Sequence, residues 1–306
     1  MAARCGRFCA PFLIGRAMVP QSARKGLGFA LLAVTIFAAQ DGVSKHLAES
    51  YPPVFVVMIR YWAFAAFVVV RALNAPGGIA RAAASANVWL QLARGGLLAA
   101  QVVVAITAFA KVGLAATMSL FAANPLILAA LSVPVLGEAV GWRRWTAIGV
   151  GFVGVLIVVR PGGASFQPVS LLPVATAFLY ALLMLSARWL DPRESVWTLL
   201  LYLTGAGALV AGLAAPFVWR EIQSEHLWLF VAISLFGTVG MTMMTQAFRL
   251  APAALIAPLD YTALVWATAF GWLIWSEVPD TATFLGAAVI IASGVVVILR
   301  ERRRTD

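Results

Sequence analysis

The chain has 306 residues, of which 62% are hydrophobic and only 11% charged, with a formal net charge of +10 and a mean hydropathy of +0.94. A soluble domain is about 45–50% apolar and about 25% charged, so this composition excludes a soluble globular protein, a disordered chain and a disulfide scaffold. Two cysteines, Cys5 and Cys9, cannot staple a framework, and what remains is an all-α polytopic membrane protein.

Residues 1–25 read as a cytoplasmic tail. Its basic start and short apolar run at Phe8–Ile14 mimic a signal peptide, but Pro11 breaks the run; Met18 is an alternative start. A bilayer core of roughly 30 Å needs about 20 apolar residues per helix. Ten such stretches follow, at about 26–47, 52–71, 88–110, 113–136, 142–160, 169–189, 196–218, 227–248, 253–275 and 281–299.

A charge in hydrocarbon costs about 2.5–3.5 kcal/mol on insertion scales, so it persists where it faces a cavity or finds a partner. Span 1 carries Gln40, Asp41, Ser44 and Lys45, with Asp41 and Lys45 four apart on one face. Span 2 carries Arg60, and Tyr61 and Trp62 as aromatic faces at depth. At ~1.5 Å per residue, Arg60 and Asp41 lie about 12 and 9 Å from the same membrane face, so the two can meet. Two readings stay open: a charged cluster in the outer half of a solute pathway, or a neutralised pair tying spans 1 and 2. Span 3 holds Arg94 and Gln101, and span 4 holds Asn124-Pro125, which reads as a kink.

In span 5, Gly149-Val-Gly-Phe-Val-Gly154 matches the dinucleotide pattern, but that motif requires a preceding strand. Inside an apolar helix the glycines, with Ala147, read as a close-packing face. Gly286, Ala287 and Ala288 give span 10 a similar face, so spans 5 and 10 suit helix packing or a homodimer contact. Tyr180 in span 6 and Tyr202 in span 7 add aromatic faces at depth. Span 8 holds Thr242, Thr245 and Gln246, and span 9 holds Pro258-Leu-Asp260-Tyr261 and Trp266. Asp260 lies about 11 Å from the inner face at ~1.5 Å per residue. There it can bind a cationic group or a proton, or pair with Arg94 at similar depth.

With the N-terminus in the cytoplasm, sixteen of the 22 Lys and Arg fall at inner loops and span ends. Four, Lys45, Lys111, Arg160 and Arg220, fall outside. This positive-inside bias predicts both termini in the cytoplasm and a multi-pass protein of the inner (plasma) membrane. The charge is a topology signal and a contact with anionic lipid, with no nucleic-acid footprint. Eight of eleven tryptophans, such as Trp89, Trp142 and Trp228, fall near span ends as interface anchors.

A shift of 139 residues places Ala108, Phe109, Ala115 and Glu138 on Ala247, Phe248, Ala254 and Glu277, and Lys45 corresponds to Arg188. Each half has five spans, so the second half sits inverted, an arrangement of many secondary transporters. No phosphate-binding loop and no HExxH occurs, and His46 and His226 lack partners at metal-ligand spacing. No catalytic residue, metal or cofactor is expected.

Lys45 closing span 1, Arg60-Tyr61-Trp62, Asn124-Pro125, Leu136-Gly137-Glu138, Trp275-Ser276-Glu277, and the small residues Gly154 and Gly294 stand in an order that resembles the drug/metabolite transporter superfamily, EamA type, over about 26–301. Ser276, often glycine there, and the polar Pro258–Tyr261 stretch depart from the pattern. The resemblance implies a ten-helix carrier built from five-helix repeats, 26–161 and 168–301, working by alternating access, with spans 5 and 10 outside the substrate basket. Members move amino acids, riboflavin, S-adenosylmethionine, nucleotide-like metabolites or metallophores, and Gln40-Asp41 with Tyr261 looks most like the groups handling vitamins, S-adenosylmethionine or amino acids. The expectation is a secondary transporter of a small polar organic metabolite and not an enzyme. The alternatives are a membrane-embedded enzyme, disfavoured by the lack of a nucleophile–base or metal set, and a non-transporting partner subunit.

Overall fold

A computed structural model describes residues 21–75, 77–137, 141–161, 167–191, 194–251 and 253–305. The tail with Cys5, Cys9 and Met18, and Glu138 of the internal repeat, lie outside the described residues.

Among the described residues the chain is helical, without strands. Lipid offers no hydrogen bonds, so apolar segments close their backbone bonds within helices. Two long helices come first, α1 (Gln21–Ser50) and α2 (Pro53–Leu73), turned tightly at Tyr51-Pro52. The short α3 (Gly78–Ala82) leads to α4 (Val88–Val112), whose first turn is capped by Asn87 accepting from Leu90 N–H at 3.1 Å.

The next apolar segment is broken. It runs as α5 (Leu114–Phe121) and α6 (Asn124–Leu136), with Pro125 in the first turn of α6, where its missing N–H costs nothing. The kink expected at Asn124-Pro125 is therefore a helix restart. Then follow α7 (Trp142–Val159), α8 (Leu172–Ser186), α9 (Val196–Leu213), the short α10 (Ala215–Val218) and α11 (Leu227–Leu250). The ninth apolar stretch is also interrupted: α12 (Ala253–Ile256), a 3₁₀ turn over Ala257–Tyr261, then α13 (Thr262–Trp275). α14 (Thr281–Thr305) ends the chain.

Among the described residues, seven helical segments are long and apolar enough to cross a membrane: Arg24–Ser50, Pro53–Leu73, Val88–Val112, Leu114–Leu136, Pro168–Trp189, Val196–Leu213 and Ser224–Leu250. Trp145–Val159 and Thr281–Val297 are shorter apolar helices. Exposed apolar side chains such as Leu213, Phe217 and Trp89 face outward as lipid-facing surface does.

Small residues let the helices approach closely. On α11, a Cβ at Gly237 would stand 2.7 Å from Gln40 Nε2, and one at Gly240 2.7 Å from Phe37, so α1 lies tightly in a groove of α11. A Cβ at Gly207 would meet the Tyr61 ring at 2.6 Å in the α2–α9 seam. Helices α7 and α14 pair through Gly154 and Gly286: a Cβ at Gly154 would stand 2.9 Å from the Gly286 carbonyl. Ile148, Val155, Ile290 and Val297 fill the same seam. The small faces of spans 5 and 10, read in the sequence as packing or dimer surfaces, thus meet each other within the chain.

Candidate functional site

Three polar layers interrupt the apolar bundle. The first lies where α1, α4 and α13 end. Lys45, 3% exposed, forms an ion pair with Glu277 and sits over the Trp275 ring at 4.2 Å. The other Glu277 oxygen accepts from Leu114 N–H at 3.3 Å, at the α4–α5 break. Trp275 Nε1 donates to Glu49 at 2.6 Å, and His46 Nδ1 lies 3.4 Å from the second Glu49 oxygen. Beside them the Tyr51 hydroxyl accepts from Gln223 N–H at 3.0 Å and meets His226 Nδ1 at 3.2 Å. The sequence put Lys45 on one helical face with Asp41; the spacing holds, but the ammonium reaches across the fold to Glu277.

The second layer lies at the opposite end of α4. Glu194, in the turn before α9, accepts from Ser85 Oγ at 2.6 Å, Ala86 N–H at 2.9 Å and Gln91 Nε2 at 2.5 Å. Burial pushes its carboxyl up, but these three donors and the nearby Arg94 charge outweigh it and hold the pKa below its ordinary value. Arg94, 5% exposed, donates through Nε to Ser186 at 3.1 Å and through a terminal nitrogen to Gln91 Oε1 at 3.2 Å. Its pairing is with this layer, and the Asp260 pairing weighed from depth alone does not form. Tyr202 donates to the Ala83 carbonyl at 2.8 Å, bracing the same loop.

The third layer lies between. Gln40, fully buried, donates from Nε2 to the Ile233 carbonyl at 2.9 Å, while its Oε1 has no partner among the described residues. Thr117 Oγ1, Asn124 Oδ1 and Tyr261 OH are likewise buried and unpartnered. The Tyr261 hydroxyl lies against Gly294 on α14, where a Cβ would collide with it. Asp260 is exposed, makes no hydrogen bond or ion pair among the described residues, and lies within electrostatic reach of Tyr180 and Tyr261. Tyr180 rests against Phe121 with ring centroids 5.3 Å apart. Asp41 makes no such bond either, and Arg60 lies within reach of its charge. Gln101 is buried on α4.

The remaining expected residues spread outward. Tyr61 is buried in the α2–α9 seam, and Trp62 bonds the Ala208 carbonyl at 3.3 Å and stands tilted beside Trp219. Thr242 bonds back to the Thr238 carbonyl on the exposed side of α11, Gln246 is half-buried, and Trp266 stacks on Phe270. Sequence reading missed Glu194, Ser85, Gln91 and Thr117. Glu194 sits in a charged turn with no periodic signal, and Thr117 looks like any hydroxyl on an apolar helix. Lys45 closing span 1, Trp275-Ser276-Glu277, and the correspondence of Glu277 with Glu138 were the pointers to the first layer.

Comparison with known proteins adds the family. The sequence model of the EamA-like transporter family matches residues 24–160 and again 168–300. An S-adenosylmethionine uptake transporter of Rickettsia prowazekii (strain Madrid E) is 29% identical over 181 residues, 59% of this chain and 62% of that protein. The chain thus aligns with less than two thirds of the length of that relative. A riboflavin transporter of Rhizobium johnstonii is 30% identical over 71% of this chain and 72% of its own. The pseudopaline exporter CntI of Pseudomonas aeruginosa is 25% identical over 90% of this chain and 96% of its own. One solved crystal structure aligns over 94% of this chain and all of its own, with a TM-score of 0.58 and 18% identity, a likeness of fold.

Proposed function

We propose the following for this chain, which belongs to the EamA-like transporter family. It is a secondary carrier that moves a small polar organic metabolite across the inner membrane by alternating access. The observation that carries this reading is the set of buried polar atoms without partners, Gln40 Oε1, Thr117 Oγ1, Asn124 Oδ1 and Tyr261 OH. A buried polar group left unsatisfied costs about 1–3 kcal/mol, and a polar cargo would satisfy several at once. A scaffold subunit has no use for four such groups, and an enzyme would need a reactive set that the sequence lacks.

The architecture we infer is ten spans in two inverted five-span repeats, 26–161 and 168–301. Its support is a pattern of exchanged neighbours. Helix α1 packs on α11 and α13, and its counterpart α8 packs on α4 and α6; α2 packs on α11, and its counterpart α9 packs on α4. Self-related pairs also occur, α2 with α9 and α7 with α14. The loop contacts exchange in the same way: Tyr51 holds the segment before α11, and Glu194 holds the segment before α4. With the termini cytoplasmic, the Glu277 layer faces outward and the Glu194 layer inward, so each would close one mouth.

The cargo class follows from the activities of the relatives and the aromatic and carboxylate groups at depth: a molecule with a planar or cationic portion, of the riboflavin, S-adenosylmethionine or amino-acid kind. Comparing metabolites of cells with and without the gene tests the reading. A changed level of one such compound, restored by the wild-type gene and not by an Asp260→Asn variant, supports it. Unchanged levels of all of them, with the protein present in the membrane, would sink it.

A further inference from the structure

The Glu277 carboxylate sits in a receptor built by other parts of the chain. Lys45 supplies a buried ammonium, and Leu114 supplies a backbone N–H at the first residue of α5. Between them Gly113, at φ +96°, presents no side chain; a Cβ there would stand 3.0 Å from the Glu277 oxygen. That φ favours glycine, and the missing Cβ is what lets a carboxylate reach the backbone. Trp275 walls the ammonium at 4.2 Å and is itself fixed by Glu49 at 2.6 Å. An ammonium, a helix-start N–H and a bare backbone wall are the elements of carboxylate recognition.

Glu277 reaches this receptor from the C-terminal cap of α13, where its N–H donates to the Gly271 carbonyl at 2.9 Å. It follows the end of α13, where Ser276 takes the left-handed conformation at φ +55°. Any opening that draws the end of α13 away from α1 strips Lys45 of its counter-ion. A buried cation left alone is strongly disfavoured, so another anion has to take the place. Glu49 is already engaged by Trp275 and His46. The candidates are Asp41, one turn earlier on α1, and an incoming carboxylate.

We propose that the Lys45–Leu114 receptor is a carboxylate subsite for the cargo, and that Glu277 is a tethered stand-in which fills it when the mouth is closed. This rests on the carrier reading and narrows it: the cargo carries a carboxylate, as amino acids and S-adenosylmethionine do and riboflavin does not. Cargo binding and closure of this mouth then compete for one cation.

Chemical rescue tests it without transport. The full-length protein, with Cys5→Ser and Cys9→Ser and a reporter Gly42→Cys facing Trp275, is placed in liposomes and labelled with an impermeant thiol reagent. Adding Glu277→Ala should raise the labelling rate by about tenfold, the worth of one charge-assisted contact. Sodium acetate, but not sodium chloride at the same ionic strength, should bring the rate back toward that of the reporter protein. In the Lys45→Gln/Glu277→Ala double variant acetate should do nothing. An acetate effect that is absent from Glu277→Ala, or that persists without Lys45, overturns the subsite; the first result is what capture of Lys45 by Asp41 gives. Flux of S-adenosylmethionine in vesicles tests the carrier reading separately, because acetate protection needs no transport.

Discussion

Glu194 and Glu277 hold opposite ends of one helix. Glu194 takes donors from Ser85, Ala86 and Gln91 at the start of α4, and Glu277 takes Leu114 N–H just beyond its end. Both carboxylates come from the second family-matched segment, and α4 belongs to the first. A 25-residue helix is about 37 Å long at ~1.5 Å per residue, so the two clamps stand a membrane apart. Rocking one segment against the other strains the two clamps in opposite senses.

The Lys45–Glu277 pair should be visible in stability. Removing one partner of a buried pair costs about 3–5 kcal/mol, and Glu277 is 37% exposed, which reduces this to about 2 kcal/mol. Thermal unfolding in detergent should show Glu277→Gln and Lys45→Gln each lowering Tm, with the double variant well short of the sum. Additive losses would mean that the two do not act as a pair.

Acid should loosen the Glu194 clamp. Its folded pKa lies below the ordinary 4.5, so its contribution is complete above that value and is lost as pH falls through the depressed folded value. Asp280 behaves in the same direction, held down by the hydroxyl and N–H of Thr283 and by Arg160. Glu194→Gln should lower Tm at pH 7 and converge on wild type as the pH drops below about 4.5. A deficit that stays constant with pH would place the loss in packing instead of charge.

The span 5 glycines separate packing from mere permissiveness. A Cβ at Gly154 would stand 2.9 Å from the Gly286 carbonyl, whereas one at Gly149 meets nothing within 4 Å. Gly154→Ala should destabilise by about 1–3 kcal/mol through overpacking, and Gly149→Ala should be neutral or slightly stabilising. Equal effects in thermal unfolding would contradict the α7–α14 seam.

The helices were legible because hydropathy over about 20 residues is a local signal. Each stretch read from the sequence has its helix or helix pair, and the breaks fall at Asn124-Pro125, just before Pro216 and around Pro258, where proline announces them. The clamps were not legible. Lys45 has Asp41 at i−4, so spacing favours a local partner, yet the bundle brings Glu277 closer. Arg94 found its charge partner in a loop, at Glu194, which depth arguments confined to spans could not reach. Tyr61 and Trp62 read as deep aromatics, and only the placement of Gly207 and Ala208 shows them seated on α9.

Orientation has its own test. A reporter active only in the cytoplasm should work when fused after Asp306 and fail when fused near Gly163, on the far side of span 5. Activity at Gly163 would remove the inverted arrangement, because five spans must carry the chain across.

The most direct test of the carrier account is exchange in proteoliposomes. Vesicles loaded with unlabelled S-adenosylmethionine, or with riboflavin, receive the same compound labelled outside. The account predicts saturable uptake of one of them that requires cargo inside, and the carboxylate subsite selects S-adenosylmethionine. Asp260→Asn should reduce the rate by about tenfold or more, as loss of a recognition charge within the membrane does. Trp142→Ala, at an exposed span end, should leave it within about twofold. Exchange of neither compound, or exchange that Asp260→Asn leaves intact while Trp142→Ala abolishes it, would contradict the account.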